Sequence, residues 1–218
     1  MAQPARSVWK QWQPTLVWAT YVLGLVPAAW TFYLGATGGL GADPIKTFER
    51  FLGVWGIRFL ILTLCVTMVR DLFGWNFLAY RRALGLLCFY YIAFHFTVYF
   101  VLDQALDVTA VVNDTLKRPF IMFGMAGLAM LLPLALTSNR FSIKRLGINW
   151  IRLHRLIFLI AATGILHYAL ATKVFATEQL VYIAILIALI LYHTTRPIWR
   201  SRKPRRLQAA GQASGATR

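Results

Sequence analysis

Acidic residues are scarce: seven aspartates and glutamates in 218 residues, against 23 lysines and arginines. Charged residues of both signs make up 14% of the chain, where a soluble domain carries about 25%. The charges sit in clusters separated by long uncharged runs, which excludes an ordinary soluble fold with alternating polar and apolar helix faces. Cysteine is almost absent: Cys65 and Cys88 lie in apolar runs and form no CxxC pair, so no zinc or iron–sulfur site is suggested. The chain also lacks a glycine-rich phosphate loop, an internal repeat and any polar segment long enough to fold alone. Any reaction must use apolar helices and their short loops.

What is present is hydrophobic surface, 59% of residues with a mean hydropathy of +0.60. Six runs, at residues 15–35, 51–69, 83–102, 119–138, 150–172 and 178–195, have the roughly 20 residues needed to cross about 30 Å of hydrocarbon. The first is too long for the apolar core of a signal peptide, carries Pro27 and is followed by GATGGLGADP rather than a cleavage site, so it reads as a retained helix. The expectation is an all-α six-helix transmembrane bundle over 15–195, a short tail at 1–14 and a basic, disordered tail at 196–218. That tail would be solvated or lie on anionic membrane lipid.

Orientation follows from the cations. The N-terminal tail, the loops at 70–82 and 140–145 and the C-terminal tail hold 15 of them, whereas Lys46, Arg50, Lys117, Arg118 and Lys173 lie on the other side. Six of the seven acids fall on that second side. Both termini are therefore expected in the cytoplasm of a multi-pass bacterial inner-membrane protein. The net charge of +16 is explained by this bias, with no nucleic-acid partner required.

An ionisable side chain inside a span points to function. His95 in span 3 and His167 in span 5 each lie about 10 Å below the acidic face at 1.5 Å per residue, and Arg58 in span 2 reaches a similar level. Two imidazoles on different helices at one depth, beside a cation, suggest a b-type haem whose propionates pair with Arg58. Phe94, Phe96, Tyr99 and Tyr168 are the expected walls. The plainer alternative is histidines that hydrogen-bond neighbouring helices. His193 closes span 6 at a helix end, where a side chain reaches water. His154 lies 13 residues before His167, about 20 Å along a helix and about 220° around it. At its level span 3 offers Arg81 and Arg82 instead of a second histidine. With Lys144 and Arg145 these suit an anion, such as a flavin phosphate or a lipid headgroup, better than a second haem.

The runs RRALGLLCFYYIAFHFTVYFVLD, KRPFIMFGMAGLAMLLPLALTS and KRLGINWIRLHRLIFLIAATGILHY, with GGLGADP near position 40, resemble the YedZ/MsrQ family, over about residues 15–190. The resemblance implies a ferric reductase-like membrane domain that is a non-catalytic electron-transfer subunit. It implies electrons taken from the quinone pool or a cytoplasmic flavin reductase and passed through haem b. The implied acceptor is a periplasmic molybdopterin-containing methionine sulfoxide reductase subunit that repairs oxidised proteins. It also implies FMN. His95, His154 and His167 match the family's three histidines and inherit haem ligation from it. The chain departs from ferric reductases in having one histidine on span 3 where they have two. It has Thr67-Met68 where the family often has Thr-Pro, and His193 has no counterpart. The competing readings are a transporter or proton pathway lined by His and Arg, and a membrane anchor without a redox group. The acidic stretch 103–118, with Asp103, Asp107 and Asp114, is an expected docking surface.

Overall fold

The computed structural model describes residues 8–172 and 174–215, and side chains over 12–172 and 174–196. Arg6, Lys173 and the side chains of Lys10 and of the tail cations beyond Arg196 lie outside the described residues. Among the described residues the chain is helical and contains no strand. Six helices are long and apolar enough to cross a membrane: Trp12–Ala36, Pro44–Phe73, Leu78–Asp103, Pro119–Leu136, Ile148–Leu170 and Thr177–Arg196. They coincide with the six expected runs, with small shifts at the ends.

Local chemistry sets those ends. Helix α1 spans Val8–Ala36. Helix α2, Pro44–Phe73, begins about two turns earlier than hydropathy indicates because Asp43 caps it, accepting from the Lys46 backbone N–H at 3.1 Å, and Pro44 fits the first turn. It stops at Gly74, whose left-handed φ of 76° glycine adopts without steric penalty. Helix α3, Leu78–Val98, ends in a π-helical turn at Tyr99–Asp103. Ala105 and Leu106 then hold positive φ values of 47° and 66°, uncommon for non-glycine residues. Helix α4, Val108–Lys117, is capped by Asp107, and α5 covers Pro119–Leu136. Short α6, Arg140–Leu146, and α7, Ile148–His154, lead into α8, Leu156–Leu170. Span 5 is thus not one unbroken helix. A tightened turn at Arg155, where Arg155 N donates to Arg152 O at 3.2 Å, separates His154 from His167. The 220° phase of an ideal helix does not carry across it.

Helix α9, Thr177–Gly215, does not end at the expected membrane boundary. Its helical backbone continues into the basic stretch as far as Gly215, where Arg, Leu, Gln and Ala are good helix formers.

The helices close a ring: α2 packs along α3, α3 on α5, α5 along α8, α8 on α9 and α9 back on α2, while α1 lies outside against α3 and α2. Glycines permit the close approaches that drive association within lipid. A Cβ on Gly56 would stand 2.4 Å from Ile92 Cδ1, and one on Gly24 2.5 Å from Leu87 Cδ1. Tyr91 is fully buried, and its hydroxyl enters the backbone ladder of α1, donating to Gly24 O at 2.7 Å and accepting from Ala28 N at 3.1 Å. Tyr91→Phe is therefore expected to cost about 1 kcal/mol, the size of an interhelical hydrogen bond in a membrane. The melting temperature of the detergent-solubilised variant checks it. An unchanged melting point would show that α1 re-forms its own hydrogen bond at no net loss.

On the basic face, Asp71 of α2 ties α9 down. Its side chain is 1% exposed and is held by Arg196, by Arg70 at 3.4 Å and by the Tyr192 hydroxyl at 3.2 Å.

Candidate functional site

Inside the ring α3 and α8 bring His95 and His167 together, with ring centres 6.0 Å apart and planes at 80°. Each imidazole is fixed from behind. His95 Nδ1 lies 2.8 Å from the Glu49 carbonyl oxygen of α2, and His167 Nδ1 lies 2.7 Å from the Phe120 carbonyl oxygen of α5. A carbonyl oxygen only accepts, so Nδ1 carries the proton on both rings and Nε2 keeps its lone pair. A backbone carbonyl behind Nδ1 is the usual support of a metal-ligating histidine.

The two supports share a pattern. A glycine stands four residues after each accepting carbonyl, Gly53 after Glu49 and Gly124 after Phe120. A Cβ would sit 3.3 Å from His95 Nδ1 at Gly53 and 2.8 Å from His167 Nδ1 at Gly124. Each imidazole lies across the helix surface that its glycine leaves bare. Sequence reasoning missed both glycines, although a glycine inside an apolar helix, where it costs roughly 1 kcal/mol against alanine, is a signal of close packing.

The residues fit a haem. Two imidazoles on neighbouring helices, each with Nδ1 occupied by a carbonyl and the lone pair left on Nε2, are the donor set that a haem iron would take. His95 and His167 would hold the iron, and the Phe120 ring flanks His167 with its centre at 5.9 Å.

Several expected contributors lie elsewhere. Arg58 reaches the expected level but is engaged: its Nε donates to the Tyr182 hydroxyl at 2.8 Å and its NH2 pairs with Glu178 at 3.0 Å. Its guanidinium also lies 5.0 Å from the Trp55 ring centre. Phe94 is not a wall. It lines an outward-facing apolar groove with Phe32, Phe48 and Leu52, of about 490 Å³. Phe96 and Tyr99 belong to a separate cluster beneath α4 with Val111 and Ile121.

His154, an expected iron ligand by the resemblance, stands apart from the His95–His167 pair with partners of its own. The Thr137 hydroxyl donates to Pro133 O at 2.7 Å and accepts from His154 Nε2 at 3.1 Å. The His154 proton therefore sits on Nε2, opposite to His95 and His167. Trp150 stacks on the ring at 3.9 Å and donates its indole N–H to Thr137 O at 3.0 Å. This knot locks α7 to the end of α5. His193 does not reach water at a helix end. Its Nε2 donates to Leu64 O at 3.1 Å and its ring packs on Phe158, joining α9 to α2 and α8.

The four basic-face cations do not converge. Arg81 lies within electrostatic reach of His154, His193, Arg70 and Arg196. Arg82 turns to Tyr21 of α1, Arg145 lies over Phe141 on its own helix and Lys144 is exposed. The three acids of the 103–118 stretch are used internally: Asp103 pairs with Lys46 at 2.7 Å, Asp107 caps α4, and Asp114 meets Tyr99 and Arg118.

Comparison with known proteins agrees with this architecture. The family described as ferric reductase like transmembrane component matches residues 52–165. The protein-methionine-sulfoxide reductase heme-binding subunit MsrQ of Agrobacterium fabrum is 54% identical over 191 residues, covering 88% of this chain and 89% of that protein. The chain belongs to the MsrQ family. The protein of the same name from Brucella ovis is 53% identical over 203 residues, covering 93% of this chain and 90% of its own length. No solved structure matches the chain. Family membership and the six apolar helices make this a multi-pass membrane protein. The ferric reductase-like segment takes in His95 and His154 and stops two residues before His167, whereas the MsrQ relatives extend over most of the chain.

Proposed function

We propose that this chain is a haem b electron-transfer subunit of the bacterial inner membrane, with both termini cytoplasmic. In this reading it passes electrons from the quinone pool or a cytoplasmic flavin donor to a periplasmic molybdenum-containing methionine sulfoxide reductase. The relatives carry haem binding and methionine sulfoxide reduction in their names. The observation that carries the reading is the neighbouring pair His95 and His167, each with Nδ1 bonded to a backbone carbonyl and, among the described residues, no hydrogen bond at Nε2. A bound haem supplies one-electron redox chemistry. The chain's own part is to present two oriented lone pairs and to surround them with apolar side chains that exclude water, the levers that set a haem's potential.

The basic face supports the donor side of the proposal. Arg81, with Arg70 and Arg196 within electrostatic reach, gives a cationic cluster suited to the phosphate of FMN or to an anionic headgroup. His154 and His193 would shape that end of the bundle through Thr137 and Leu64. The transporter reading gains nothing here, since Arg58 is tied to Glu178 and Tyr182, and His95 and His167 are held by backbone carbonyls.

Anaerobic addition of a quinol or of reduced FMN to the purified protein, followed by absorbance, tests the proposal. Reduction of the haem bands by one of the two, and their reoxidation by the partner reductase supplied with methionine sulfoxide, is expected. Haem bands that answer only to dithionite and are not reoxidised by that partner would contradict it.

A further inference from the structure

We infer that Arg50, and not Arg58, is the cation that receives a haem propionate, with the Tyr168 hydroxyl as a second donor beside it. The inference rests on the bis-histidine reading of His95 and His167.

Position comes first. Arg50 follows Glu49, whose carbonyl holds His95. At 100° per residue it lies about 60° from Gly53 on one side of α2 and about 80° from Arg58 on the other. Gly53 faces His95 of α3, and Arg58 reaches Glu178 and Tyr182 of α9. Arg50 therefore projects between the α3 and α9 directions, the sector of α2 that faces the inside of the ring.

Partners come second. Among the described residues no carboxylate lies within ion-pair distance of Arg50, although two acids are close in sequence or space. Glu49 and Asp103 are both taken by Lys46, at 3.4 and 2.7 Å. Glu178 is taken by Arg58 at 3.0 Å. Arg50 is left as an exposed guanidinium with its donors free for a planar carboxylate, the geometry that arginine recognises best.

Tyr168 completes the site. It follows His167 directly, it lies within electrostatic reach of Arg50, Arg58, Glu178 and Tyr182, and its hydroxyl has no hydrogen-bond partner among the described residues. The two free donors thus stand next in sequence to the pair, Arg50 beside Glu49, the support of His95, and Tyr168 beside His167 itself. Arg58 is a structural tie between α2 and α9 behind them.

The test measures haem content and midpoint potential in wild type, Arg50→Gln, Arg50→Lys, Tyr168→Phe and Arg58→Gln. Removing a cation next to a propionate disfavours the extra electron. Arg50→Gln is therefore expected to lower the ferrous-to-ferric ratio at fixed potential about tenfold, which is about 59 mV for one electron. Its midpoint is also expected to fall further as pH rises, because a propionate without its cation ionises within the working range. Arg50→Lys keeps the charge and should recover most of the potential, even where Arg50→Gln is recovered in low yield. Tyr168→Phe should give a smaller shift in the same direction, and Arg58→Gln chiefly a lower melting temperature. Haem bound with an unmoved midpoint and flat pH profile in both Arg50 variants overturns this inference alone, as does a larger shift from Arg58→Gln. A wild type that binds no haem overturns the bis-histidine reading and this inference with it.

Discussion

Gly124→Ala is expected to remove most of the haem from the protein. The added Cβ would meet Nδ1 of His167 at 2.8 Å, Cε1 at 2.9 Å and Cγ at 3.4 Å. These are atoms of a rigid ring and not the end of a flexible chain. The ring cannot swing aside without breaking its bond to Phe120 O, so either His167 leaves its place beside His95 or α5 and α8 separate. Overpacking of this kind costs about 1–3 kcal/mol, and every 1.4 kcal/mol is about tenfold in affinity. Gly53→Ala is the internal comparison, since its Cβ would stand 3.3 Å from His95 Nδ1 and a shift of a few tenths of an ångström accommodates it. Haem per protein by pyridine haemochrome assay should fall steeply for Gly124→Ala and mildly for Gly53→Ala. Equal haem content in both would show that the glycines do not position the ligands.

Asp71→Ala is expected to be the most destabilising single change on the basic face. Its carboxylate is the common acceptor for Arg196, Arg70 and Tyr192, and Arg81 adds a further positive charge to that group. Removing one member of a buried charge cluster leaves the others uncompensated, at a cost of about 3–5 kcal/mol. The fastening of α9 to α2 should loosen, and with it the packing of His193 on Leu64. Thermal melting in detergent reads the effect, with Asp71→Asn expected between alanine and wild type because it keeps an acceptor oxygen. A melting temperature for Asp71→Ala equal to that of wild type would show that the cluster contributes no net stability.

The spans were legible because lipid imposes one simple requirement, an apolar run of sufficient length, which composition meets openly. The common depth of His95 and His167 was legible for a similar reason, since the helical rise turns residue counts into distance. What holds those histidines was not. Their acceptors are main-chain carbonyls of Glu49 and Phe120, and any residue type supplies a carbonyl. Arg58 was placed at the right level, but its partners Glu178 and Tyr182 lie 120 and 124 residues away, a pairing that only the closed ring creates. The tightened turn at Arg155 also left no mark in the hydropathy. That turn separates the helix that carries His154 from the helix that carries His167; ligation by His154 came from the family resemblance, and its Thr137 and Trp150 partners left no mark in the sequence either.

The central claim is that His95 and His167 alone among the four histidines hold the haem. The dithionite-reduced minus oxidised visible spectrum of the purified protein, beside His95→Ala, His154→Ala, His167→Ala and His193→Ala, tests it most directly. The account predicts b-type bands in wild type, in His154→Ala and in His193→Ala, and their loss in His95→Ala and His167→Ala. Bands that survive without His95 or His167, or that vanish without His154 while both of those remain, would contradict it.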